Sequence, residues 1–177
     1  MPRDNPMNVS IRPMRSADLD QVLQLLARWN IAPQSPTAEM PDPERTNIII
    51  GNTFVAEDAG KIVGVRSFIQ LTATEAEGAS MAVNPAYQRQ GIAKALALAG
   101  WRVMWERGIR KIRSETDRPE VVGWLTRDYG YRIVGTAAKR HAFGNLDADH
   151  WTVLELDLDE TVIRLASEAQ GLYSKER

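Results

Sequence analysis

A chain of 177 residues is long enough for one domain with a substantial core and short for two complete ones. Its 44% hydrophobic and 25% charged residues exclude wholesale disorder, and 22 Lys plus Arg against 23 Asp plus Glu leave no net field to draw in nucleic acid or an anionic membrane. The absence of cysteine excludes disulfides, a thiolate nucleophile and a Cys metal site, and with His141 and His150 the only histidines no metal is expected. The start, "MPRDNPMNVS", has no apolar signal-like run and no later segment approaches membrane-span length, so the expected address is the cytoplasm.

In chain order, "NVSIRPMR" (8 to 15) reads as a first strand. Residues 16 to 30 follow as a helix capped by Ser16, with Leu19, Val22, Leu23 and Leu26 along one face. Four prolines between 31 and 47 rule out a continuous helix there and predict a loop. "TFVAEDAGKIVGVRSFIQL" is a hairpin turning at Asp58-Ala59-Gly60-Lys61. "TEAEGASMAV" (74 to 83) is a further strand, with Glu75, Glu77, Ala79, Met81 and Val83 on one side.

An Ala/Leu-rich helix then opens near Arg89 or Gln90, runs to Arg107 and stops at Gly108, with a second face of Ala97, Trp101 and Trp105. Residues 110 to 116 predict a strand, 119 to 129 a helix between Pro119 and Gly130, and "YRIVGTAAKR" and "WTVLELDLD" two closing strands. A final helix spans roughly Glu160 to Tyr173, with Val162, Ile163, Leu165, Ala166 and Ala169 as its stripe. This order predicts an α/β chain: a mixed sheet with helices on its faces, residues 1 to 158 forming the domain and 159 to 177 a helical extension packed on it or at a dimer interface. The two apolar sides of the long helix and the C-terminal stripe raise the expectation of a homodimer.

The segment "SMAVNPAYQRQGIAKAL" carries the functional reading. A polar, Gly-containing turn between a buried strand and a helix N-terminus lets backbone N–H groups converge on an anion. A Rossmann site would need Gly-x-Gly-x-x-Gly after the first strand, and a Walker loop would need Gly-Lys-Ser/Thr; neither is present. Gln88-Arg89-Gln90-Gly91-Ile92-Ala93, with "WLTRDYGYRIVG" downstream, resembles the GNAT superfamily of N-acetyltransferases, whose pyrophosphate loop reads Gln/Arg-x-x-Gly-x-Gly/Ala.

The resemblance covers roughly residues 8 to 158 and implies a mostly antiparallel twisted sheet of about seven strands. It implies acetyl-CoA as co-substrate, an amine acceptor (a small molecule or a protein amine) and direct transfer in a ternary complex. By this resemblance Gln88, Arg89, Gln90, Gly91, Ile92, Ala93 and Lys94 hold the pyrophosphate, and the main chain of Met81, Ala82 and Val83 holds the pantetheine amides. Glu77 takes the place of the general base that some relatives carry on this strand, against a reading as an exposed carboxylate with Glu75 its equal.

The family's usual leaving-group acid is a Tyr four residues before the glycine of a Gly-aromatic pair, and aligning Gly130-Tyr131 puts Thr126 there. A Thr hydroxyl is too weak an acid for that task, which leaves Tyr129, another hydroxyl or water. Tyr129 and Tyr131 can equally be helix-end packing residues. The missing Tyr keeps a second function in play, a non-catalytic acyl-CoA-binding or sensor protein. His141, His150 and the acidic residues Glu39, Asp42 and Glu44 are further candidates for the acceptor end, each also readable as a solvated loop residue.

Overall fold

The computed structural model describes residues 8–32, 48–140 and 143–175. Seven strands form one sheet in the order β1-β2-β3-β4-β5-β7-β6. They are β1 Val9–Pro13, β2 Thr53–Asp58, β3 Lys61–Gln70, β4 Glu75–Val83, β5 Lys111–Thr116, β6 Arg132–Ala138 and β7 His150–Asp157. Four helices join them: α1 Leu19–Ala27, α2 Ile92–Glu106, α3 Pro119–Tyr129 and α4 Glu160–Lys175. Every strand pair is antiparallel except β4 with β5. The mixed, mostly antiparallel sheet expected from the sequence is therefore present.

The β2–β3 hairpin closes on a two-residue turn, with Asp58 paired to Lys61 and positive φ at Ala59 and Gly60, the geometry that suits the strands' right-handed twist. β3 is the centre of the fold: Ile62 to Ile69 are buried without interruption, because both faces of this strand are covered. On one face α1 lays Val22, Leu25 and Leu26 against Val55, Val65 and Ala82. On the other, Ile92 and Leu96 of α2 meet Val63 and Val83, while Leu98, Trp101 and Met104 join Phe68, Ile112 and Leu154.

The two apolar sides of α2 have a simple cause. α4 packs on α2, and Val162, Ile163 and Ala166 share a cluster with Trp101 and Met104. Trp101 is 3% exposed and Trp105 is stacked under the Arg110 guanidinium, so the tryptophan side is covered within one chain and gives no reason for a dimer. Leu165 of the C-terminal stripe is exposed, and Ala169 lies beyond the residues whose side chains are described.

Three local expectations are corrected. Ser16 makes no cap: residues 16–18 form a single 3-10 turn, and the buried Asp18 carboxylate accepts from the Arg15 N–H at 2.7 Å and from Arg12 at 2.8 Å. Arg12 holds that carboxyl below its ordinary range. α2 begins at Ile92 and not at Arg89 or Gln90, because Gly91 at φ 78 is its cap. The alternation of β4 also breaks. A bulge between Ala79 and Ala82, with Ser80 at φ 49, leaves Glu77 on the α1 face while Met81 and Val83 turn to the α2 face. The loop between 33 and 47, with Glu39, Asp42 and Glu44, and His141 lie outside the described residues.

Candidate active site

β4 and β5 run together only from Glu75↔Lys111 to Gly78↔Ser114. Beyond that pair β5 stays with β7 as far as Thr116↔Thr152, and β4 bends away at its bulge. The opening is a cleft of about 880 Å³ that passes through the sheet. Glu77, Gly78 and Ser114 make its floor; Trp29 and Ile31 after α1 line one mouth, and Val121 and Trp124 of α3 line the other.

The loop that starts α2 is held from below. Asn84 accepts from the Ala86 N–H at 3.0 Å, Pro85 opens a short 3-10 turn, and buried Tyr87 donates to Asp58 at 2.8 Å. An Asn-Pro pair is a start signal readable in sequence, whereas the anchor to the hairpin is not. The chain then takes positive φ at Arg89 (62) and Gly91 (78), a concave arrangement of backbone N–H groups. A Cβ at Gly91 would meet nothing within 4 Å among the described residues, so glycine is favoured there by its backbone angle and not by crowding. The first α2 bond runs from Ala95 to the Gly91 carbonyl, which leaves the N–H groups of Ile92, Ala93 and Lys94 without intrahelical partners.

Of the loop residues, Gln88 and Ala93 line the cleft, Arg89, Gln90, Gly91 and Lys94 are exposed and outside its lining, and the Ile92 side chain is core at 2% exposure. Met81, Ala82 and Val83 all line the cleft. Because Asn84 donates to the Val63 carbonyl on β3, alternation turns the Val83 N–H to the edge that β5 has left.

Glu77 faces Arg113 across the parallel pair, with Glu115 two residues along the same face. Burial, then the Glu115 charge, push its carboxyl up to about 7 from an ordinary 4.5, against a smaller opposing pull from Arg113. Glu75 is paired with Lys111 at 3.6 Å and does not line the cleft. That difference separates two carboxylates the sequence left equal.

Thr126 and Tyr129 are not among the cleft-lining residues. The Thr126 hydroxyl donates back to the helix carbonyls of Val122 (2.9 Å) and Gly123 (3.1 Å). The Tyr129 ring packs edge-on to Trp101 and Trp124; among the described residues its buried hydroxyl has no partner, and burial raises its pKa well above the ordinary value, which makes it a weaker acid. His150 is exposed and bonded to Asp149 at 2.6 Å, away from the cleft.

Two features were missed in the sequence. A buried ion pair, Lys139 with Asp117 at 2.6 Å, ties the end of β5 to the segment before β7, and the lysine also donates to the carbonyls of Phe143 and Asn145. The other is Arg66. It is the lone charge in the buried run of β3, and it reaches the cleft.

A strand parting from its parallel neighbour beside an anion-ready helix start agrees with the match to the acetyltransferase (GNAT) family model over residues 19–131. The chain belongs to this family. No curated protein sequence matches it. Among solved structures it is similar to Ard1 from Thermoplasma volcanium, at 21% identity and TM-score 0.65, over 86% of this chain and 99% of that one. It is also similar to an N-acetyltransferase from Staphylococcus aureus Mu50, at 19% identity and TM-score 0.61, over 86% and 99%. A third is the N-acetylglutamate synthase from Neisseria gonorrhoeae complexed with coenzyme A and N-acetyl-glutamate, at 18% identity and TM-score 0.63, over 88% of this GNAT chain and 36% of the other. At these identities the neighbours share the fold. Among the described residues no cluster of metal-ligating side chains occurs, and no helix is long and apolar enough to cross a membrane.

Proposed function

We propose that this GNAT protein transfers the acetyl group of acetyl-CoA to an amine by direct attack with both substrates bound. The observation that carries the reading is one continuous site, in which unpartnered N–H groups at α2 lead along the free edge of β4 to Glu77 at the cleft floor. The pyrophosphate of CoA fits the α2 start by charge and by the helix dipole, and the pantetheine amides fit the open β4 edge around Met81, Ala82 and Val83.

Bound acetyl-CoA supplies an acetyl group on a thiol that can leave. Glu77, poised near neutral pH, takes a proton from the acceptor's ammonium before attack or from the amine as it attacks, directly or through water. A nitrogen–carbon bond forms, the carbon–sulfur bond breaks, its electron pair stays on sulfur, and solvent returns a proton there. The chain has no cysteine to carry an acyl-enzyme. Apolar Trp29, Ile31 and Phe143 at the α1 mouth suit an acceptor whose amine sits on an apolar body.

The test is release of free thiol from acetyl-CoA with a panel of amines, with both substrates varied. Intersecting initial-rate lines and acetylated amine are expected; parallel lines would overturn direct transfer. One observation favours a second reading as a non-catalytic acyl-CoA binder, the engagement of the Thr126 hydroxyl by its own helix. CoA binding with no thiol release from any amine would select it.

A further inference from the structure

β3 buries eight successive residues, and in such a strand a charge without a partner costs several kcal/mol. Arg66 is 5% exposed. Among the described residues it has no carboxylate partner: its Nη1 lies 3.8 Å from the Met81 sulfur, a weak acceptor, and its Nε is buried with no hydrogen bond at all. The neighbouring polar residue of the strand, Ser67, is satisfied by the Thr53 hydroxyl at 2.9 Å, so the exception is confined to the arginine.

The surroundings are shaped for this side chain. Phe68↔Gly78 pairing puts Gly78 on the same face, and a Cβ there would stand 3.2 Å from Arg66 Nη2 and 3.1 Å from Ser114 Oγ. Glycine lets the guanidinium lie across β4 at the last pair before the strands part. The bulge at Ser80 brings Met81 over it, and Gly100 of α2 faces it from above. The cation therefore sits at the cleft floor on the α2 face, while Glu77 occupies the floor on the α1 face.

We propose that Arg66 is a catalytic residue whose guanidinium holds the thiolate of CoA as it leaves. The proposal rests on the acetyl-CoA reading above. With the pyrophosphate at the start of α2, the CoA arm lies on the α2 face, and its sulfur reaches the floor on the side where Arg66 waits. The amine and its base then stand on the other face of the sheet, from which the amine can add to the acetyl carbonyl while the sulfur stays beside Arg66. A fixed cation at the point where negative charge develops lowers the barrier without reorganisation, and it explains how the site works with Thr126 turned to its own helix.

The experiment titrates the thiol of bound CoA by its thiolate absorbance and measures CoA affinity by calorimetry, in the wild type, Arg66→Met and Arg66→Lys. In the wild type the bound thiol is expected to ionise at least about one pH unit below the thiol of free CoA titrated in the same buffer. Arg66→Met should return it to the free-CoA value, lower kcat by roughly 10²-fold and change the acetyl-CoA KM by less than about threefold; Arg66→Lys should recover part of kcat. A wild-type thiol that titrates like free CoA, or an Arg66→Met change seen in KM alone, would overturn the proposal. Should Arg66→Met not fold, the wild-type titration decides. Failure of the wild type to bind CoA would overturn the acetyl-CoA reading itself, and this proposal with it.

Discussion

Glu77 and Gly91 show how single residues meet opposite demands. A carboxylate held near 7 is half ionised where an amine must lose a proton, so the rate with a weakly basic amine should rise with pH and level off above about 7. Glu77→Gln should lower kcat by ~10²-fold and remove that rise; a pH–rate profile with the rise intact in the variant would place the base elsewhere. At Gly91 the demand is conformational, since an L side chain at φ 78 is strained by about 1 kcal/mol although the space around it is open. Gly91→Glu adds a negative charge beside the unpartnered N–H groups of α2 and should abolish CoA binding in calorimetry while the protein stays folded by circular dichroism.

Elements are positioned here by a few fixed ties. Tyr87 bonded to Asp58 fastens the α2 start to the β2–β3 hairpin, and Lys139 bonded to Asp117 fastens the segment before β7 to the end of β5. The second tie is almost wholly buried, with side-chain exposures of 6% and 5%. Removing one partner strands the other, so Lys139→Met should cost about 3–5 kcal/mol in urea unfolding. Gly144 belongs to the same tie: at φ 70 it packs against the Asp117 carboxylate so closely that any side chain would displace it. Phe143, Gly144 and Trp151 line the cleft, so the loss should also raise the acceptor KM more than the acetyl-CoA KM. Equal effects on the two constants would mean that this segment does not touch the acceptor.

For the molecule as a whole, the cleft is where function opposes stability. Glu77 binds its proton more tightly folded, up to about 7, than unfolded, near 4.5. Between those values the folded state holds more protons, so its contribution to stability falls as pH rises and the full cost is present above about 7. Glu77→Gln should therefore raise the melting temperature by several degrees at pH 8, for roughly 1–2 kcal/mol, and leave it unchanged near pH 4. The same gain at both pH values would contradict a buried charge. Much of this architecture was legible in the chain. Periodicity of 2 and 3.6, the Asp58-Ala59-Gly60-Lys61 turn, Pro119 and Gly130 placed the elements, because these signals act within a few neighbouring residues. The Gln88 to Lys94 stretch announced an anion site for the same reason, since a helix start is a local object. What tertiary structure alone decided is set by contacts between distant segments. The bulge at Ser80 reversed the expected facing of Met81 and Val83, and pairing with Lys111 separated Glu75 from Glu77. The cover that α4 gives to α2 turned an apparent dimer surface into core. Arg66 appeared in sequence only as a charge in an apolar strand. Its meaning came from β4, β5 and α2 closing around it without a counter-charge, a property of the assembled sheet that no local pattern of residues encodes.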